Sequence, residues 1–170
     1  MDTPEAELKH MQAGRDYLKA IEALGLELAA LFWAKDDIAK QYVLVMFTDV
    51  FDYIGPYEIS KKLFDAYNLA GTPKSIDPFI VRLHSPQQQI AKAIDQVFGV
   101  ELKLFGPDAK TGLRKPVDMT NSVLTISSGG LTFKKTWMIK YSGLQGRSPK
   151  TLDLSRKWRR FERNVQALAA

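Results

Sequence analysis

The sequence predicts an α+β protein in which a single mixed β-sheet is covered by helices. Three observations predict this class: segments with apolar residues at helical spacing, short β-rich runs between them, and turn residues at their boundaries. The predicted order of elements is αββαβαβββα. The 170 residues contain no internal repeat and no linker, so we expect one globular domain over residues 1–170.

The chain begins with a predicted helix over residues 4–24. Thr3 is placed to cap this helix and Gly25 to end it, whereas Gly14 weakens its middle. Its apolar stripe is predicted to comprise Leu8, Met11, Leu18, Ile21 and Leu24. Two β-rich runs follow, LELAALFWA and QYVLVMFT, and the polar KDDIAK between them predicts a β-hairpin.

The middle of the chain predicts a helix over residues 57–68 and then a short buried strand, DPFIVRLH. A strand, a crossover helix and a second strand in this order predict a right-handed parallel unit. Ser85 and Pro86 then predict the start of another helix, which runs to about Phe98.

The last third of the chain is predicted to be mainly β-structure. Apolar and polar residues alternate in VELKLF, which predicts a strand with one buried side. A loop over residues 106–120 separates it from NSVLTISSGGLTFKKTWMIKYS, where Gly129 and Gly130 predict a hairpin turn between two strands. A final helix completes the predicted fold.

Composition places the chain among ordinary folded proteins, with 45% hydrophobic and 25% charged residues. It has no cysteine, which excludes disulfides and cysteine-based metal sites. The first ten residues are acidic and polar, unlike a signal peptide, and the longest uncharged apolar runs are too short to cross a bilayer. We therefore expect a cytoplasmic protein that is not embedded in a membrane.

Charge is distributed unevenly along the chain. Residues 1–100 carry 10 Lys and Arg against 14 Asp and Glu, a net charge of −4, whereas residues 101–170 carry 14 against 5, a net charge of +9. This difference predicts that the C-terminal part meets an anion. The candidates are nucleic acid, phosphate, an acidic protein, and the acidic part of the same fold.

The final helix contains the strongest candidate site. Apolar residues at spacings of 4 and 3 predict a buried stripe of Leu154, Trp158, Phe161, Val165 and Leu168. The opposite side is predicted to present Arg156, Arg159, Arg160 and Arg163. An ordinary surface helix mixes acids and bases at i,i+4, but Glu162 is the one acid within this run. These arginines are therefore candidates for bidentate contacts to phosphate or carboxylate.

The loop over residues 106–120 adds three candidate anion-binding cations, Lys110, Arg114 and Lys115. A phosphate-cradling loop would need Gly-Lys-Thr in succession with a helix behind it. Ala109 precedes the lysine here, so a nucleoside triphosphate site of that type is excluded. The alternatives are a mobile cationic loop that contacts phosphate and a loop that is simply solvated.

Three carboxylates make a weaker candidate for a metal site. Asp49 and Asp52 follow a predicted strand, and Glu58 lies at the start of the next helix. Ligand sites favour the carboxyl ends of strands in α/β sheets, and clustered carboxylates are suited to Mg²⁺. The alternative is a capped turn, because Asp is a common turn residue and Gly-Pro follows.

The remaining motifs favour structural interpretations. Glu101 and Lys103 have the spacing of a nuclease metal site, but acidic-x-Lys pairs recur here at chance frequency. His10 and His84 are the two histidines, which excludes a multi-histidine zinc site, and no nucleophile accompanies His84. Ser127 lies in a predicted hairpin turn, whereas a nucleophile elbow needs a strand-to-helix turn.

Three functions follow from these patterns, and no cofactor is predicted, although the third function would need a metal ion. The first is a small non-catalytic binding module whose C-terminal helix and 106–120 loop contact nucleic acid or an acidic protein. The second is an assembly protein that self-associates through its acidic N-terminal and basic C-terminal surfaces. The third is a metal-dependent hydrolase that uses Asp49, Asp52 and Glu58.

Overall fold

The computed structural model describes residues 3–98, 105–107, 114–116 and 125–170. Its helices are α1 (Pro4–Ala23), α2 (Phe51–Ile54), α3 (Pro56–Asn68), α4 (Gln89–Phe98) and α5 (Thr151–Ala167). Its strands are β1 (Ala30–Asp36), β2 (Gln41–Phe47), β3 (Val81–His84), β4 (Phe105–Pro107), β5 (Arg114–Pro116), β6 (Thr125–Ser128), β7 (Leu131–Lys134) and β8 (Met138–Tyr141). Short 3-10 helices, η1 (Pro78–Ile80) and η2 (Lys135–Trp137), precede β3 and β8.

The main sheet has six strands and is mixed. Its strands follow the order β3-β2-β1-β7-β6, and β8 also pairs with β1. The β2–β3 pair is parallel and the other pairs are antiparallel. Strands β4 and β5 form a separate two-stranded ribbon. The predicted α+β class with a mixed sheet is confirmed, and β2–β3 is its parallel pair.

Helices cover both faces of the sheet. Trp33 and Phe32 are neighbours in β1, so their side chains point to opposite faces. On one face the indole of Trp33 donates a hydrogen bond to the carbonyl of His10 in α1, at 2.8 Å. On the other face Phe32 packs on Phe133, which stacks on Phe98 of α4. The hydrophobic core therefore lies in two layers, one on each side of the sheet.

Helix α1 packs through a glycine. Thr3 caps it as predicted, because its side chain accepts a hydrogen bond from the Ala6 amide. The buried residues are Met11, Gly14, Tyr17 and Ile21, whereas Leu8 is exposed, so the predicted stripe was wrong at that position. A Cβ at Gly14 would lie 2.3 Å from the Ile139 side chain and 2.9 Å from the Trp33 indole nitrogen. The glycine that weakens the helix locally is thus required by close packing against the sheet.

Two glycines form the predicted hairpin turn between β6 and β7. Gly129 and Gly130 have φ angles of 61° and 76°, in the left-handed region that favours glycine. The run after this turn is divided differently from the prediction, because η2 interrupts it and separates β7 from β8. The two resulting strands pair with opposite ends of β1, β7 near Asp36 and β8 near Ala30.

Other boundaries also differ from the sequence prediction. Helix α4 begins at Gln89 and not at Pro86, because the Ser85 hydroxyl accepts from the Gln87 amide and closes a turn there. Part of the predicted 106–120 loop is strand β5, which pairs with β4. The predicted VELKLF strand lies outside the described residues except for its last residue, Phe105, in β4. Within the described ranges no helix is both long enough and apolar enough to span a membrane.

Candidate anion-binding site

Helix α5 is docked by the side that the sequence predicted. Leu154, Trp158, Phe161 and Val165 are all buried, and the Trp158 and Phe161 rings lie 5.6 Å apart. The predicted fifth member, Leu168, follows the helix and is partly exposed, although its side chain reaches Gly71. On one flank, the Asn164 side-chain amide donates to the Leu24 carbonyl at the end of α1, at 2.9 Å. These contacts fix which side of α5 faces outward.

The outward side carries four exposed arginines, which we call the arginine face: Arg156, Arg159, Arg160 and Arg163. They are half of the eight arginines in the chain. At 1.5 Å rise per residue, the first and last α-carbons are about 10 Å apart along the helix axis. None of the four forms an ion pair with another described residue. The arginine face is therefore a concentration of positive charge that forms no ion pair among the described residues.

Four other C-terminal cations behave differently, because each of them pairs with an acid from the first third of the chain. The pairs are Lys134 with Glu7, Lys140 with Glu22, Arg147 with Asp49 and Lys157 with Glu27. Part of the charge gradient along the sequence is thus neutralised inside the fold. Among the described cations of residues 125–170, this pairing leaves the arginine face and the exposed Lys135 and Lys150 without an ion pair.

Arg160 has the most acidic surroundings of the four arginines. Its side-chain stem lies along Gly25, where a Cβ would come within 3.3 Å of its Cγ. Together with Lys157 it lines a small cavity of about 240 Å³ that also contains Glu22 and Glu27. Both of these acids already pair with lysines. We therefore expect Arg156, Arg159 and Arg163 to contribute more to anion binding than Arg160 does.

The loop cations do not share this face of α5. Arg114 and Lys115 belong to β5, whose register places them opposite Pro107 and Gly106 of β4. Lys110 lies outside the described residues. The predicted anion-binding residues that the structure describes thus belong to two elements, helix α5 and strand β5.

The three candidate metal ligands do not come together. The Arg147 guanidinium donates two hydrogen bonds to Asp49, from Nε to Oδ1 at 2.9 Å and from Nη2 to Oδ2 at 2.6 Å. Asp52 accepts a hydrogen bond from the Ser85 hydroxyl at 2.5 Å, and Glu58 is exposed on α3. Among the described residues no group of three His, Asp or Glu side chains is placed to hold a metal ion. This arrangement favours the turn and ion-pair interpretation.

The contact between Asp49 and Arg147 also changes the pKa of the arginine. The hydrogen bond to Asp49 raises the pKa of Arg147 above its usual value, and partial burial opposes this effect. The two side chains are only 15% and 22% exposed. The pair therefore stabilises the fold at the carboxyl end of β2 and leaves Asp49 little capacity to bind another cation.

His84 and Ser85 lie at the same end of the sheet but are not in a catalytic arrangement. The His84 ring stacks on Phe47, and its Nδ1 is 2.8 Å from the Gln88 side-chain oxygen. Burial lowers the pKa of His84 below its usual value, because a buried ring is harder to charge. The buried Ser85 hydroxyl donates to Asp52 and not to the histidine. His84 and Ser85 thus have structural partners, as the sequence interpretation favoured for His84.

The other weak candidates also have structural partners. The His10 Nδ1 is 2.7 Å from the Ala6 carbonyl oxygen, one turn earlier in α1. The Ser127 and Thr132 hydroxyls are 2.9 Å apart across the β6–β7 hairpin. Glu101 and Lys103 lie outside the described residues.

Sequence reasoning missed two charged residues that organise the fold. Arg147 pairs with Asp49, a residue 98 positions earlier. Asp95 accepts hydrogen bonds from the Tyr141 hydroxyl at 2.7 Å and from the Leu144 amide at 2.9 Å, which ties α4 to the segment after β8. Burial and the Asp95 hydrogen bond raise the pKa of Tyr141 to about 12. The one signal for such contacts in the sequence was the opposite charge of its two parts.

Comparisons with known proteins were negative. The chain matches no protein-family model, no curated protein and no solved structure.

Proposed function

We propose that this protein is a non-catalytic module that binds the phosphate backbone of nucleic acid through the arginine face. One contrast supports the proposal. Four other C-terminal cations are paired with acids of the fold, whereas the four arginines are exposed and have no ion-pair partner among the described residues. A concentrated positive charge on a packed helix is the expected electrostatic footprint of a nucleic-acid-binding surface.

The spacing of the arginines suits a phosphate chain. Duplex DNA carries one phosphate per strand about every 3.4 Å of helix axis, so the arginine face is about as long as the axial length that holds three phosphates of one strand. Arginine binds phosphate through two parallel N–H donors, and contacts to the backbone carry no sequence information. We therefore expect sequence-independent binding that depends steeply on salt.

Lys110, Arg114 and Lys115 form the second part of the proposal. We expect them to contact the same polyanion, because they concentrate three cations within six residues. The salt slope is the change of log K, the logarithm of the binding constant, with the logarithm of the salt concentration. Substituting Arg114 and Lys115 with Gln should make this slope shallower by about 1.8, since each phosphate contact adds about 0.9 for duplex DNA. An unchanged slope would confine the site to α5.

The main test is the affinity for a fluorescein-labelled 20-base-pair duplex, measured by anisotropy between 50 and 200 mM salt. The four contacts of the arginine face contribute about −3.6 to the slope of log K against log salt, which is a loss of about 150-fold over this range, and contacts by the loop cations make the slope steeper still. Replacing Arg156, Arg159 and Arg163 with Gln should make the slope shallower by about 2.7.

A matched control removes the same charge elsewhere. Arg15, Lys40 and Lys92 are also exposed but lie on α1, the β1–β2 turn and α4, and their triple Gln variant should keep most of the slope. Equal losses in both triple variants would mean that only net charge matters. Absence of duplex binding at 50 mM salt would contradict the proposal.

The same samples distinguish the other partners. If the anionic partner is an acidic protein, polyglutamate should bind through the arginine face while the duplex does not. If the protein self-associates through its charged surfaces, sizing should show a larger species at low salt that dissociates at high salt. A monomer at both salt concentrations would remove support for self-association.

A further inference from the structure

The outward side of α3 carries a row of aromatic and basic side chains. Its buried residues are Ile59, Leu63 and Ala66. Two residues before each of them stand Tyr57, Lys61 and Phe64, and an offset of two residues corresponds to about 200° around a helix. This second row therefore points away from the core.

Several of the aromatic rings on this side are unusually exposed. Tyr57 is 74% exposed, and Tyr53 in the preceding helix α2 is 41% exposed. Phe79 of η1 is also 74% exposed, and its ring meets Phe64 edge to face at 4.8 Å. We call Tyr53, Tyr57 and Phe79 the aromatic row. Exposed Lys61 lies between Tyr57 and Phe64 on the same side of α3.

The aromatic row lies beside the helix that carries the arginine face. Helices α2 and α3 both pack against α5. Leu168, just after α5, reaches Gly71, just after α3, so the two helices end close together. At the other end, the Asp49–Arg147 pair joins the segments that precede α2 and α5. Because α2 and α3 are neighbours of α5, the outward side of α3 and the arginine face are treated as one candidate surface.

We propose that this surface binds single-stranded nucleic acid, with phosphates on the arginine face and bases stacked on the aromatic row. This inference rests on the proposed function and adds that the bound nucleic acid is single-stranded. Single-strand binding sites combine a cationic track with exposed aromatic rings, because every base has a π-face that is available only when it is unpaired. Charge complementarity with the arginines selects a polyanion over an apolar peptide for this row.

Exposed acids limit the placement of phosphates, because Asp52 directly precedes Tyr53 and Asp77 lies two residues before Phe79. Glu58 is exposed and follows Tyr57 directly in α3, so it repels a phosphate at the start of this helix. Bases, which are uncharged, are therefore the part of the ligand that suits the Tyr57 end. The phosphates lie on the α5 side, where the arginines are.

The test compares a labelled 20-mer of deoxythymidine with the 20-base-pair duplex. Tyr57 and Phe79 are both replaced by Leu, which keeps an apolar side chain but removes the ring. Loss of stacking predicts an affinity for the single strand that is lower by about 5- to 150-fold per base position. Affinity for the duplex should stay within about twofold. A uridine 20-mer shows whether ribose is also accepted.

Two matched variants isolate stacking from other effects. Replacing Tyr57 with Phe keeps the ring and should retain single-strand affinity. Replacing Ile38 with Ala alters the most exposed large apolar side chain in the described residues, at the opposite end of β1 from the α5 contacts, and should change nothing. The Leu variants should leave the salt slope unchanged, because they remove no charge.

The outcomes separate this inference from the proposed function. If the Leu variants bind the single strand as tightly as the unaltered protein, or weaken duplex binding equally, the aromatic row is not a base platform. The arginine-dependent salt slope would still support backbone binding in that case. If neither nucleic acid binds at 50 mM salt, both proposals are wrong.

Discussion

Two charged regions of this protein contrast sharply. At the carboxyl end of β2 and β3, Asp49 meets Arg147 and Asp52 meets Ser85. On α5, the four arginines of the arginine face are exposed and have no ion pair with other described residues. Both regions appear in the sequence as clusters of like charge. The difference shows that a cluster of like charges becomes part of the folded structure where the fold places partners beside it, and stays an exposed surface where it does not.

The largest expected effect tests whether the first region is structural. Replacing Arg147 with Gln removes its hydrogen bonds to Asp49 and to the Gly143 carbonyl and leaves a half-buried carboxylate unpaired. We expect the free energy of unfolding to fall by about 2–3 kcal/mol, measured by urea denaturation. Nucleic-acid affinity should change less than about twofold, since one remote charge is lost.

The matched variant in the second region is Arg159→Gln. It removes the same charge from an exposed position, so stability should stay within about 0.5 kcal/mol while the salt slope falls by about 0.9. If Arg159→Gln destabilised the protein as much as Arg147→Gln does, the contrast between the two regions would be lost.

A smaller effect is expected for Ser85→Ala. The buried hydroxyl donates to Asp52 and accepts from the Gln87 amide, so its removal breaks two hydrogen bonds whose other partners are exposed. We expect a loss of about 1–2 kcal/mol in thermal or urea unfolding. Asp52→Asn keeps an oxygen that can accept the hydrogen bond from Ser85, so we expect it to lower the stability less than Ser85→Ala does. A loss in the alanine variant below that of Asp52→Asn would contradict this assignment.

His84 predicts a pH dependence in the first region. Burial lowers its pKa in the folded state, so the unfolded chain binds the proton more readily. Stability should therefore be complete above the ordinary histidine pKa of about 6.5 and should decline as the pH falls below it. Unfolding measured between pH 5 and 7 checks this, and His84→Gln should flatten the decline. If the free energy of unfolding rose as the pH fell over this range, the lowered pKa of His84 would be contradicted.

The smallest expected effect concerns Glu58, at the border of the second region. Glu58→Gln removes an exposed acid beside the aromatic row, and we expect nucleic-acid affinity at 50 mM salt to rise by about twofold. The metal-dependent hydrolase hypothesis predicts instead that Mg²⁺ binding is lost. Calorimetric titration with Mg²⁺ on the same variant therefore compares the two hypotheses directly.

Sequence reasoning predicted the elements better than their boundaries. The Thr3 cap and the Gly129–Gly130 turn were confirmed, because caps and tight turns depend on residues within a few positions. The start of α4 was wrong, because Ser85 forms a turn and donates to Asp52, 33 positions earlier. Gly14 was identified as a weakness of α1, while its packing against β8 depends on Ile139.

The sequence by itself determined which side of α5 is apolar and which carries arginine, because helical periodicity is a local property of the chain. Only the tertiary structure decided which charges have partners. Lys157 meets Glu27 and Arg147 meets Asp49 across more than ninety positions, and no local pattern specifies such pairs. The arginine face and the neighbouring aromatic row became one candidate surface for the same reason: the packing of α3 against α5 joins residues that are far apart in the chain.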